Sequence, residues 1–358
     1  MSIQNNWWEL TGCGSRFCED VIRLLEESKS VAIIGTKIPW FDIFYERLKG
    51  ANISASKVFE CVNGEDISKP GDYLFNRYCS PEIQAKYWPD QPSYTHADFL
   101  AETEGITLNQ RFIIVRNLVT EKAFLRWKEF VEKYIKCIES SGTDTAARAV
   151  FVLEYQGVTN QNSHKSPIAV VSFDPREVDV FTYNLINTAE EYDGYLLNKY
   201  AAELIGEICG RDIEQCGLLS NFAGLLNDPC KTYSLFSDEM PLRNRQSESQ
   251  INIAVLSAQF KVIFPLIEQK RRELIDKYFD SICLCLPWTN DYCEEKNEPY
   301  DMELRDLVFK SGEIKVTESD RELIKTLRDA RNQLAHNHVL SYEVICRLVN
   351  FNRLIAII

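Results

Sequence analysis

Glycine and proline are scarce, at 15 and 12 of 358 residues. That is well below the average share of about 12%, and it argues against long flexible linkers and collagen-like segments. No run of about 18 uncharged apolar residues occurs, so no membrane span is predicted. The first ten residues, Met-Ser-Ile-Gln-Asn-Asn-Trp-Trp-Glu-Leu, hold neither a basic stretch nor an apolar stretch of the secretory type, and a cytoplasmic location is expected. Positive charge is also in deficit. Forty Lys and Arg face 53 Asp and Glu, a net charge of −13. This balance excludes a protein that coats nucleic acid by bulk electrostatics, though not one with a local basic site.

Apolar residues, by contrast, make up 45% of the chain and aromatics 11%. This is enough to build packed cores, and the length suits two or three domains. Twelve cysteines are present. Without a secretory leader they read as reduced, mostly buried thiols rather than a disulfide framework. Cys13-x4-Cys18 and Cys283-x-Cys285 with Cys293 are the cysteine groups that come nearest to metal-ligand spacing. Neither group has a second closely spaced pair or a nearby histidine, so no metal site is expected.

In the first half, short apolar runs alternate with helical periodicity. The runs are Val31–Gly35, Val58–Val62, Phe112–Val115, Val150–Leu153 and Ile168–Phe173; helical stretches lie at 16–29 and 121–139. Apolar strands separated by helices predict a mostly parallel sheet with helices on both faces. Beyond about residue 188 the pattern is helical. A long helix is expected over 249–280, with a break or kink at Pro265. An acidic loop follows at 286–301. Two closing helices are expected at about 319–334, capped by Ser319 with Glu322, and 341–356, capped by Ser341. The expected domains are an α/β domain over 1–187, a winged-helix-like helical connector over 188–245, and an all-α domain over 246–358.

Val31-Ala32-Ile33-Ile34-Gly35-Thr36-Lys37 begins as a phosphate-binding loop begins, but continues Ile38-Pro39-Trp40-Phe41. The second glycine, the Lys beside it and the hydroxyl that such a loop needs are missing. Phe112–Asn117 stands where the strand carrying the metal-binding acid would, yet it ends in Arg116-Asn117. In this arrangement the first half resembles a degenerate P-loop domain of the AAA+ or STAND type. ATP hydrolysis and nucleotide cofactors are not expected. Glu154 at the end of its strand reads as a solvated residue, and His96 and His164 as surface-loop residues.

The most specific string is Arg331-Asn332-Gln333-Leu334-Ala335-His336-Asn337-His338. Arg-Asn-x3-His at a helix end resembles the signature of the HEPN superfamily, over roughly residues 245–358. The resemblance implies a C-terminal HEPN-like helical bundle, with Arg331, Asn332 and His336 as the catalytic set and His338 competing with His336. The chemistry is coherent, because His exchanges protons near neutral pH and the Arg fork stabilises charge on a phosphate. Arg328, Arg321, Lys325, Lys270, Arg271 and Arg272 are the candidate RNA-binding cations. Residues 321–353 hold six Lys and Arg against three acids. The resemblance further implies a homodimer or protein complex through the C-terminal helices, with RNA as a second partner. The expected function is a non-catalytic or weakly catalytic component of a bacterial conflict or phage-defence system, with the α/β domain used for protein interaction. The alternative is a metal-independent endoribonuclease with an Arg/His site shared across a dimer.

Overall fold

The computed structural model describes the chain except residues 1, 52, 54–56, 90–92, 143, 159–165, 193, 221–225, 239–246 and 356–358, and except the side chains of 235–238 and 351–355. His164 and the Arg353 side chain therefore lie outside the described residues. The chain divides into two compact units, Met1–Pro175 and Arg176–Ile358.

The first unit contains α1 (Ile3–Leu10), α2 (Gly12–Glu26), β1 (Val31–Gly35), α3 (Phe41–Gly50), β2 (Val58–Asn63), α4 (Pro70–Tyr78), α5 (Pro81–Gln84), α6 (His96–Glu102), β3 (Arg111–Leu118), α7 (Glu121–Ser141), β4 (Val150–Tyr155) and β5 (Ala169–Phe173). Its five strands form one sheet in the order β2-β3-β4-β1-β5, and every pairing is parallel. The five apolar runs are these five strands. β4 at the centre is buried throughout, whereas the edge strands β2 and β5 are partly exposed. Successive strand residues face opposite sides. Ile113, Val115, Phe151 and Leu153 enter one core with Leu74, Leu100 and Trp127 of the α4–α6–α7 layer. Another cluster joins α1, α2, α3 and β5: Trp8 stacks on Phe44 at 5.5 Å, and Phe17 meets Phe173 at 4.7 Å.

Gly35 has φ +143°, and a Cβ there would overlap the Phe173 carbonyl oxygen. Thr36 N–H also donates to that oxygen at 3.0 Å. The glycine that resembled the start of a phosphate loop thus closes β1 against β5.

The second unit contains α8 (Glu177–Thr188), α9 (Tyr195–Cys209), α10 (Ile213–Leu219), α11 (Pro229–Asp238), α12 (Glu248–Lys277), α13 (Phe279–Cys283), the hairpin β6 (Trp288–Thr289) with β7 (Glu295–Lys296), α14 (Leu304–Lys310), α15 (Glu318–Ala335) and α16 (Tyr342–Ile355). α8 packs on α9, and α12 packs on α9 and α15. Of the two expectations at Pro265, a kink or a break, the break does not occur: α12 runs on through the proline. Val262, Ile263, Leu266 and Ile267 flanking the proline are all buried, and that burial offsets the lost backbone bond. α12 has the length and apolar content of a membrane span, but 56% of the apolar window is buried within the structure.

All twelve cysteines are free, but only Cys18, Cys79, Cys209 and Cys216 are buried, while Cys61, Cys230, Cys283 and Cys293 are exposed. The expectation of mostly buried thiols is corrected accordingly. Burial pushes the Cys18 thiol up to about 11. Among the described residues no group of three or more His, Cys, Asp or Glu is placed to hold a metal ion.

Candidate functional site at the end of α15

Thr317 caps the start of α15, its hydroxyl accepting the Asp320 N–H at 3.2 Å. The expected Ser319 cap is therefore two residues late: Thr317 has extended backbone, and Ser319 already lies within the helix. Leu323, Ile324, Leu327, Ala330 and Leu334 form the buried stripe. At the other end, Asn337 takes the left-handed conformation with φ 56°. Its N–H donates to the Leu334 carbonyl and the His338 N–H to the Gln333 carbonyl, both at 2.9 Å. This is the Schellman pairing, which satisfies carbonyls that a helix end otherwise leaves open. His336 occupies the cap position, donating its backbone N–H to Asn332 at 3.1 Å. Ser341 Oγ accepts from Val344 N–H at 3.4 Å at the start of α16, as expected.

The motif side chains do not converge. Arg331 Nη1 donates to Glu303 Oε2 at 3.0 Å, and its Nε lies 3.8 Å from Glu268 on α12. Asn332, His336 and His338 are exposed, and the two imidazole rings stand 6.5 Å apart. Among the described residues no hydrogen bond or ion pair joins Arg331 to either histidine. Helix geometry gives the reason. Five residues correspond to about 140° of rotation, whereas Arg328, Asn332 and His336 at four-residue steps share a face.

The surrounding cations are largely engaged by acids. Arg321 pairs with Glu318 at 3.2 Å, Lys325 with Glu322 at 2.7 Å and Arg328 with Asp329 at 2.7 Å. On α12, Lys270 pairs with Glu273 at 2.7 Å and Arg271 with Glu268 at 3.0 Å, while Arg272 is exposed. The local excess of positive charge is thereby neutralised, in part by acids from outside the motif helices.

Gln259 on α12 holds the link that follows the motif, and sequence reasoning did not single it out. It is fully buried. Its amide donates to Tyr200 Oη at 3.3 Å, to Asn227 Oδ1 at 3.0 Å and to the Leu340 carbonyl at 3.0 Å. Its Oε1 accepts the Leu340 N–H at 2.9 Å. Asn227 Nδ2 donates to the same carbonyl at 3.0 Å. Both backbone groups of Leu340 are thus clamped two residues after His338, which fixes the link between α15 and α16. A polar residue within an apolar helical stripe was the available signal.

The other chemical cluster sits where β3 and β4 end. Glu154, read from sequence as solvated, is 2% exposed. Burial pushes its carboxyl up, against the opposing pull of Arg116, of a bond from the Asn117 N–H and of Lys37. Arg116 Nε lies 3.4 Å from Glu154 Oε2, and its guanidinium stands 3.3 Å from the centre of the Phe41 ring. The strand order explains the burial of Glu154: β4 is central, between β3 and β1, so its last residues stay covered. The carboxylate is answered by an arginine, an arrangement that opposes a cation at that position.

His96 is not a loop residue either. It opens α6, with its ring between Phe75 and Tyr87 at 4.3 Å from each and Nδ1 2.9 Å from Asp72. Within the helical unit, a cavity of about 480 Å³ is lined by Glu177, Phe181, Glu203, Glu207, Arg211 and Lys261 among others. Lys261 already bridges Glu203 at 2.6 Å and Glu207 at 2.5 Å, so the place of a cation between those carboxylates is filled from inside. Comparison of the chain with protein-family models, with curated proteins and with solved structures finds no match.

Proposed function

We propose that this chain is a non-catalytic interaction protein, pairing a P-loop-like α/β unit without phosphate chemistry with a HEPN-like helical unit. The observation that carries the reading is the engagement of Arg331 by Glu303 at 3.0 Å, with Glu268 beside it. A phosphate approaching Arg331 meets two carboxylates, and neither histidine is bonded to the arginine. Metal-free RNA cleavage requires the reverse, an arginine open to the phosphate and a histidine beside it.

The α/β unit supports the same reading. Its sheet order sets β1 and β3, the strands that would carry phosphate and metal ligands, on either side of central β4. At those strand ends stand a glycine closed onto Phe173 and an arginine paired with Glu154. The setting, a bacterial conflict or phage-defence system, follows from the HEPN resemblance of Arg331, Asn332 and His336.

The alternative is a metal-independent endoribonuclease with a site shared between two chains. One observation favours it: Asn332, His336 and His338 are exposed and open to a second copy. Incubating the full chain with total RNA in EDTA tests both readings. No cleavage is expected for the wild type, Arg331→Ala or His336→Ala. Cleavage by the wild type that either substitution abolishes would overturn the non-catalytic reading. ATP with Mg²⁺ should leave the melting temperature unchanged, since a ligand that binds only the native state raises it.

A further inference from the structure

Exposed large apolar side chains are scattered over most of the chain but concentrate in one segment. Phe279, Leu284, Tyr292, Tyr300 and Phe309 are 40% to 89% exposed. Several of these rings are held in place. Trp288 of β6 stacks on Phe309 of α14 at 5.8 Å. One helical turn before Phe309, Arg305 lies over Tyr292 at 4.2 Å and pairs with Asp291 at 3.3 Å. Tyr300 packs beside Phe279 at 6.2 Å and donates its hydroxyl to Asp276 at 2.5 Å. Rings fixed in this way lose little freedom when a partner covers them.

The same segment is strongly acidic. Residues 279–313 contain nine Asp and Glu against three Lys and Arg, a net charge of −6. Asp291, Glu294, Glu295, Glu298, Asp301 and Glu303 are exposed. Two arginines of this chain already dock on it. Arg271 donates to the Tyr300 and Met302 carbonyls at 3.2 and 2.8 Å, and Arg331 pairs with Glu303. Ring faces here also take cations, from Arg305 and from Lys310, which stands 5.3 Å over Trp288.

We propose that the β6–β7 hairpin and α14 form a docking surface for a basic segment of another protein. Its Arg or Lys side chains meet the ring faces and carboxylates, and an aliphatic side chain packs on Phe309. The net charge repels an RNA backbone, and a second copy meeting the same surface would set −6 against −6. The inference rests on the reading of this chain as an interaction protein, and it names the chemistry of the partner.

The test is selection of a random peptide display library on the full-length chain, followed by anisotropy titration of the recovered peptides. Peptides rich in Arg or Lys beside an aliphatic residue are expected, with binding that weakens as salt rises. Phe309→Ser should weaken them about tenfold or more, about 1.4 kcal/mol or more. The double charge reversal Glu295→Lys with Glu298→Lys, at exposed positions, should do the same, so the test stands even if Phe309→Ser loosens the hairpin. Recovery of no peptide, of neutral or acidic peptides, or of peptides indifferent to both variants would overturn the proposal. So would single-stranded RNA binding that Phe309→Ser abolishes, or self-association that the charge reversal abolishes. Arg331-dependent RNA cleavage would instead sink the non-catalytic reading, so the two failures are distinguishable.

Discussion

Replacing Gln259 by Leu is the most informative single perturbation of the helical unit. The side chains are similar in volume, so no cavity forms, and the effect is confined to hydrogen bonding. Leu340 N–H loses its partner inside the protein, since Gln259 Oε1 accepts it at 2.9 Å. An orphaned buried donor costs about 1–3 kcal/mol. The Leu340 carbonyl retains Asn227 Nδ2, and Asn227 Oδ1 retains the Tyr200 hydroxyl. Each of these acceptors therefore gives up only one of its bonds, at about 0.5–1 kcal/mol. The expected loss is about 3 kcal/mol, a fall in melting temperature of about 6–12 °C for a unit of this size. Calorimetry of the full chain reads the fall, and hydrogen exchange locates it. The Asn337, His338 and Leu340 amides should exchange faster, because the link to α16 is no longer held. A loss below about 1 kcal/mol, with Leu340 as protected as in the wild type, would refute the clamp.

Three further outcomes are expected. Gly35→Ala should cost about 2–4 kcal/mol in urea denaturation, because its Cβ meets the Phe173 carbonyl at positive φ, whereas Gly50→Ala, with open space around it, should be neutral or stabilising. At Asp320 burial raises the carboxyl pKa, but bonds from Lys277, Tyr278 and Thr317 outweigh it and hold the group below its usual range. A carboxyl depressed in the folded state stabilises above its unfolded pKa of about 3.9 and loses that contribution as pH falls through the folded value. The stability gap between wild type and Asp320→Asn should therefore close in acid, and a gap constant between pH 6 and pH 2 would contradict the assignment. Arg331→Ala should change stability by less than about 1 kcal/mol by calorimetry, since its ion pairs are partly exposed. A larger loss would show that the arginine holds α15 to its neighbours.

The strands were legible because each is a short apolar run between helical segments, and burial on both faces requires such a run. The closing helix expected at about 319–334 was legible in its extent, and in the structure Leu323, Leu327, Ala330 and Leu334 at three- and four-residue steps bury one side of it. A break at Pro265 did not follow, because a local rule about a missing N–H does not register the burial of the residues around it. Glu154 misled in the opposite way. Its position at a strand end suggested solvent, but the strand is the central one and its neighbour supplies Arg116. His96 was misplaced because the rings of Phe75 and Tyr87 that enclose it come from other segments.

Composition and periodicity alone determined the mixed class of the chain: a parallel sheet built by the first half and helices by the second. The individual strands and helices depend on patterns among near neighbours in sequence, which the order of residues records directly, whereas the pairing of Val31 with Val152 and Ala169 joins distant segments. Only the tertiary structure decided what the motif residues meet. Arg331 and His336 stand five apart in sequence, yet Arg331 is held by Glu303 and Glu268, which lie 28 and 63 residues away. Gln259 reaches Leu340 across 81 residues. The deficit of positive charge has a place as well: residues 279–313 hold nine acids on a segment that presents exposed rings. Chain order already places the acids and the rings in one segment; packing decides which of them face solvent, because Met302, Leu304, Leu307 and Ile314 are buried while Phe309, Tyr292 and Tyr300 are left exposed.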